Sequence, residues 1–107
     1  MWIFLTDSFL SIVDKGDASG ETLLVRARKK GDIEKVFPDA EVQAGMGTDY
    51  QYRARVDRSA VADKVAACIR GIQYANFKSA VSEQTRHDAY VNVWGAMYAF
   101  QTSEMRE

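Results

Sequence analysis

At 107 residues and a net charge of −1, with 14 basic against 15 acidic residues, the chain forms one small domain without a global field for nucleic acid or anionic membrane. Its 47% hydrophobic and 27% charged composition is that of a folded globular domain and excludes a disordered tract. The single cysteine, Cys68, excludes an internal disulfide and fits a reducing compartment.

The apolar start Met1-Trp2-Ile3-Phe4-Leu5 lacks a basic flank and is interrupted by Asp7, so it reads as strand rather than leader. No run approaches the ~20 apolar residues of a membrane span, and the expectation is a soluble, cytoplasmic protein without a membrane partner. Residues 2–5 and 9–14 read as strands, or as one strand broken at Thr6-Asp7-Ser8. Lys15-Gly16-Asp17-Ala18-Ser19-Gly20 is a loop of glycine and small polar residues that returns the chain into a strand over 22–28, a hairpin. There Leu23, Val25 and Ala27 form one side, and Arg26 and Arg28 the other.

Gly31-Asp32 opens a short helix with Ile33, Val36 and Phe37 on its apolar face and Asp32 accepting from the first-turn amides; Pro38 stops it. Residues 40–44 make a third strand, and Gly45-Met46-Gly47-Thr48-Asp49 connects it to a second arginine strand. In that segment Tyr50, Tyr52, Ala54 and Val56 are the core set, and Gln51, Arg53 and Arg55 oppose it. Asp57 or Ser59 caps the next helix, whose apolar positions run through Val61, Val65, Cys68, Ile69 and Ile72, with Gly71 as its stop. The last third is helical: a short piece around 75–82, then a long helix from about 85 to 101.

The order predicts an α+β fold: a ferredoxin-like antiparallel sheet, or its circular permutation, with ββαββ followed by C-terminal helices packed on one face. It is one domain over 1–107, with 1–57 mostly sheet plus one short helix and 58–107 helical. In this topology the two arginine strands lie side by side, so Arg26, Arg28, Arg53 and Arg55 share the face without helices, and Lys29 and Lys30 extend it. Guanidinium groups offer planar, paired donors to carboxylates and phosphates. RNA-binding sheets add exposed aromatics; with Tyr50 and Tyr52 on the core set, an acidic protein surface is favoured over nucleic acid.

The long helix carries His87, Tyr90, Trp94, Met97 and Gln101 on one stripe and Val93, Met97 and Phe100 on the next, an arc wider than one sheet contact needs. Core packing accounts for much of it; Tyr90 and Trp94 are the aromatics expected to anchor a partner. His87, the only histidine, adjoins Asp88, but neighbouring helical residues point apart and form no relay. Asp14, Asp17 and Glu21 do not match a calcium loop. Asp7 and Asp14 leave open a third reading, a metal-dependent nuclease. Cys68 sits on an apolar stripe and reads as buried and inert. No catalytic, cofactor or metal motif is present, and the oligomeric state, a homodimer included, stays open.

Several segments carry a resemblance: Phe9-Leu10-Ser11-Ile12-Val13, Leu24-Val25-Arg26-Ala27-Arg28, Gly31-Asp32-Ile33-Glu34 with Val36-Phe37-Pro38, Tyr74-Ala75-Asn76-Phe77-Lys78, and Arg86-His87-Asp88-Ala89-Tyr90 with Val93-Trp94-Gly95. Together they resemble a family of small proteins of proteobacteria and their mobile elements that has no established activity. Compact proteins of such elements include anti-CRISPR inhibitors, so the resemblance implies a non-enzymatic protein-interaction module that occludes a surface of a host defence complex. Nucleic-acid or anion binding through the arginine face is the alternative.

Overall fold

The computed structural model describes residues 1–45 and 49–106, so most of the connection expected over 45–49 lies outside the described residues. The chain is α+β and divides into two compact units, Met1–Gln73 and Tyr74–Glu107.

Among the described residues of the first unit, alternation of apolar and polar residues builds five strands: β1 (Trp2–Phe4), β2 (Phe9–Val13), β3 (Thr22–Ala27), β4 (Gln43–Ala44) and β5 (Tyr52–Asp57). They form one antiparallel sheet of order β1-β2-β3-β5-β4. The first segment is therefore two strands, turned where the Leu5 N–H donates to the Ser8 carbonyl at 2.8 Å. Two helices belong to this unit, α1 (Asp32–Val36) and α2 (Arg58–Arg70).

One face of the sheet is the core. Leu10 and Ile12 of β2, Val25 and Ala27 of β3 and Ala54 of β5 pack with Ile33 and Val36 of α1, Phe37 just after it, and Val61 of α2. Tyr52, Val56 and Leu23 join from the same face, as the alternation predicts. Cys68 is only partly buried.

Two caps differ from expectation. Gly31, at φ +94°, is the N-cap of α1, a left-handed backbone that suits glycine. Asp32, buried and only 1% exposed, does not cap its own helix; its carboxylate accepts the Phe9 N–H of β2 at 3.0 Å. Asp57 stands at the N-cap of α2, and its side chain makes no capping bond. Gly71 is the C-cap, its N–H donating to the Ala67 carbonyl.

The β2–β3 loop is organised around Asp17. Its carboxylate accepts from the Ser19 N–H and hydroxyl at 3.0 and 2.7 Å, and from the Thr22 N–H and hydroxyl at 3.0 and 2.6 Å. The Thr22 hydroxyl, then Ser19, hold this carboxyl well below the usual carboxylate range. A folded-state pKa below the unfolded one makes the loop's stabilisation fully present above the ordinary value of 3.8, and lost only as pH falls through the depressed folded value. An NMR titration of the Asp17 carboxyl carbon is expected to show a midpoint far below 3.8, with the Thr22 amide shifting alongside it; a midpoint at 3.8 or above would remove the carboxylate from this role.

The second unit holds a 3-10 turn (Lys78–Ala80) and α3 (Gln84–Glu104). The helix is three residues longer at its C-terminal end than its pattern predicts, because Thr102-Ser103-Glu104 contains neither glycine nor proline to stop it. Within this unit Phe77 stacks on Tyr90 at 5.6 Å. Arg86, 7% exposed, donates from Nε to Glu83 Oε1 at 3.0 Å and from a terminal nitrogen to the Tyr90 hydroxyl at 3.3 Å. No helix among the described residues is long and apolar enough to cross a membrane.

Candidate functional site

The two arginine strands are neighbours. In the β3–β5 ladder Arg26 stands directly opposite Arg53, and Leu24 opposite Arg55. Residues facing each other across an antiparallel pair project from the same side, so Arg26, Arg53 and Arg55 share the sheet face opposite α1 and α2. Ser11 of β2 continues the row on the other flank of Arg26 and accepts from its guanidinium at 2.8 Å. Arg26 and Arg53 are partly buried, and Arg55 is exposed. Buried Nε of Arg26 has no hydrogen-bond partner among the described residues.

Arg55 is placed by the β2–β3 loop. It donates to the Thr22 hydroxyl at 3.2 Å, and its guanidinium lies so close over Gly16 that a Cβ there would sit 2.7 Å from a terminal nitrogen. Gly16 is also at φ +86°, where other residues are strained.

Arg28 does not join this row. It lies past the end of β3 and pairs with Asp49 at 3.2 Å, both side chains exposed. Hydrogen bonding to Arg28 holds the Asp49 carboxyl below its usual range, and the same bond raises the guanidinium's already high pKa. Lys29 and Lys30 are exposed in the turn that leads to α1. A further arginine, Arg58, is engaged by Asp14 at 2.9 Å and by the Gly20 carbonyl at 2.7 Å.

Tyr50 corrects the expected alternation. It precedes β5 rather than belonging to it, and although it is buried as expected it lies outside the main hydrophobic cluster. Its ring, 4% exposed, backs the arginines: the guanidinium carbon of Arg26 lies 4.5 Å from the ring centroid and that of Arg28 4.1 Å. Such contacts are worth ~0.5–1 kcal/mol each at exposed sites and more when desolvated.

Three further aromatics share the arginine face. Trp2 pairs with Ser11 and Phe4 with Phe9 in the β1–β2 ladder, which sets Trp2, Phe4 and Phe9 on the same side as Arg26. Phe4 and Phe9 stack at 4.6 Å, Trp2 meets Phe9 edge-on at 6.2 Å, and Trp2 is 66% exposed. The spacings Trp2-x-Phe4 and Phe9-x-Ser11 carry this signal, but only the hairpin register connects it to the arginines.

Tyr90, expected as a partner anchor, is buried at 6% exposure under Phe77, while Trp94 is 51% exposed. His87 Nδ1 lies 3.7 Å from Asp88 Oδ1, beyond hydrogen-bond distance. Asp7 and Asp14 flank opposite ends of the five-residue β2, roughly 15 Å or more apart, which is out of reach of one shared metal ion. Among the described residues no group of three His, Cys, Asp or Glu side chains is placed to hold a metal. No protein-family model matches the chain, and comparison with curated proteins and with solved structures finds no match either.

Proposed function

We propose that the protein is a non-enzymatic interaction module that covers an acidic surface of a protein partner with the Arg26, Arg53 and Arg55 face. The observation that carries this reading is the direct opposition of Arg26 and Arg53 on adjacent strands. Like charges directly opposite in a sheet are destabilising, by up to about 1 kcal/mol. A partner carboxylate set across the two guanidinium groups accepts charge-assisted hydrogen bonds from both. A protein partner is favoured over a phosphate backbone because Asp49 and Asp14 already neutralise Arg28 and Arg58, which leaves fewer cations for a run of phosphates. The mode is occlusion, as the resemblance to mobile-element proteins implies, with a host defence complex as the target. The β2-β3-β5-β4 order supports reading the sheet as a permuted ferredoxin-like arrangement extended by β1.

One observation favours a second reading, single-stranded nucleic acid: exposed Trp2 lies on the arginine face and offers a stacking surface for a base.

Capture of the partner from host lysate, followed by titration with the purified partner, tests the first reading. Arg26→Glu with Arg53→Glu is expected to weaken binding at least about 30-fold, since loss of desolvated charge pairs costs ~2–5 kcal/mol. Arg28→Glu, whose charge Asp49 already balances, should change it less than about threefold. Unchanged binding by the folded double variant would remove the arginine face from recognition. A labelled oligonucleotide bound with steep salt dependence, and lost on Trp2→Ala, would establish the second reading in its place.

A further inference from the structure

The second unit carries a feature that the arginine reading does not use. Along α3 and its C-cap residue Met105, the side chains of Trp94, Met97, Tyr98, Gln101 and Met105 recur at spacings of three and four, which sets them in one stripe. Over the first half of the helix this side is covered within the unit: Tyr90 is buried against Phe77, and Lys78 Nζ lies 4.4 Å over the Trp94 ring. From Trp94 onward it is bare. Trp94 is 51% exposed, Met97 58%, Tyr98 53%, Phe100 58% and Met105 73%, and these residues line one open groove with Gln101 and Glu104.

We propose that this stripe is the interface between two copies of the chain, with the two α3 helices antiparallel about a two-fold axis.

Area and charge both point to a second copy. A half-exposed aromatic leaves about 100 Å² in water, given the roughly 150–250 Å² that each ring can bury, so the five bare apolar side chains amount to roughly 500 Å². That is in the upper part of the range that a monomer's largest apolar patch exposes. Two such surfaces face to face remove about 1,000 Å² from water, the threshold of a specific interface and the size of a weak, reversible one. The sequence is self-complementary in the antiparallel sense. A two-fold axis between Ala99 and Phe100 sets Trp94 opposite Met105 and Tyr98 opposite Gln101. A methionine sulfur against an indole is a favourable contact. The same register brings Glu104 opposite Gly95, next to the Trp94 ring that carries Lys78 of the second copy. Each end of the interface thus joins an acid to a base, whereas a parallel pair would set Glu104 beside Glu104. Two opposed helix dipoles add to the antiparallel preference.

Sedimentation of the full chain over about 1–200 μM tests the proposal. The expected result is a monomer–dimer equilibrium, with Met97→Glu plus Tyr98→Glu shifting the dissociation constant up by at least 100-fold; both side chains are more than half exposed, so the fold stands. Lys78→Glu and Glu104→Lys are each expected to weaken the dimer several-fold, and the two together to restore it. A monomer throughout that range, or a dimer indifferent to the Met97 and Tyr98 changes, overturns the interface. Failure of the paired charge swap to restore association overturns the antiparallel register. A monomer that co-sediments with phosphatidylcholine vesicles makes the stripe a lipid-facing surface and overturns it as well.

Discussion

Ile33→Ala is expected to remove about 3 kcal/mol of folding stability. Its side chain is 0% exposed and meets strands and helices at the centre of the core. The cost combines lost transfer free energy with the cavity left behind, ~2–5 kcal/mol for this truncation. Two features place it in the middle of that range rather than at its lower end. The helix α1 is five residues long, far below the length at which a helix is stable alone, so it exists through the burial of Ile33, Val36 and Phe37. The strands beneath it are themselves fixed by pairing and cannot slide in to fill the space. Against a total of roughly 5–15 kcal/mol this is a large fraction. Urea unfolding should show a lower midpoint at unchanged slope, and the melting temperature should fall by about 10–20 °C. Ile69→Ala, 63% exposed on α2, serves as the contrast and should stay within about 0.5 kcal/mol of the parent. Equal effects at the two positions would place the core elsewhere.

Tyr50→Ala is the second large effect, about 3–5 kcal/mol, because a buried aromatic ring is lost together with its two guanidinium contacts. The informative comparison is Tyr50→Leu. It restores apolar volume but not the ring's negative face, so most of the stability should return, leaving a deficit of about 1–2 kcal/mol. Partner binding should not return with it, since Arg26 then loses the surface that orients its guanidinium. Full recovery of both stability and binding in Tyr50→Leu would reduce Tyr50 to a space-filling role.

The strands β3 and β5 and their two faces were legible because Leu23, Val25 and Ala27, and Tyr52, Ala54 and Val56, alternate with arginine at the period of a half-buried strand, and the element order gave the expectation that they pair. The stop of α2 at Gly71 was legible for a similarly local reason. What escaped were relations between distant residues. Asp32 looks like a helix cap from its neighbours, yet its carboxylate serves the amide of Phe9, 23 positions earlier. Tyr50 continues the alternation of β5 on paper, but the strand begins only at Tyr52, so the ring turns to the arginines instead. Arg28 likewise falls beyond the end of its strand, where Asp49 claims it. The aromatic residues of β1 and β2 reach the arginine face through hairpin register, which local pattern does not specify. In α3 the apolar residues surround so much of the helix that sequence could not tell the buried Tyr90 from the exposed Trp94.

Each compact unit contains one of the chain's two tryptophans, Trp2 on the edge strand of the sheet and Trp94 on the bare stretch of α3. The protein therefore carries a built-in pair of optical reporters. A Trp2→Phe variant leaves an emission that describes the helical unit alone, and Trp94→Phe leaves one that describes the sheet. Whether the two halves of this small chain melt as one cooperative body or in succession thus becomes a question that ordinary fluorescence can answer.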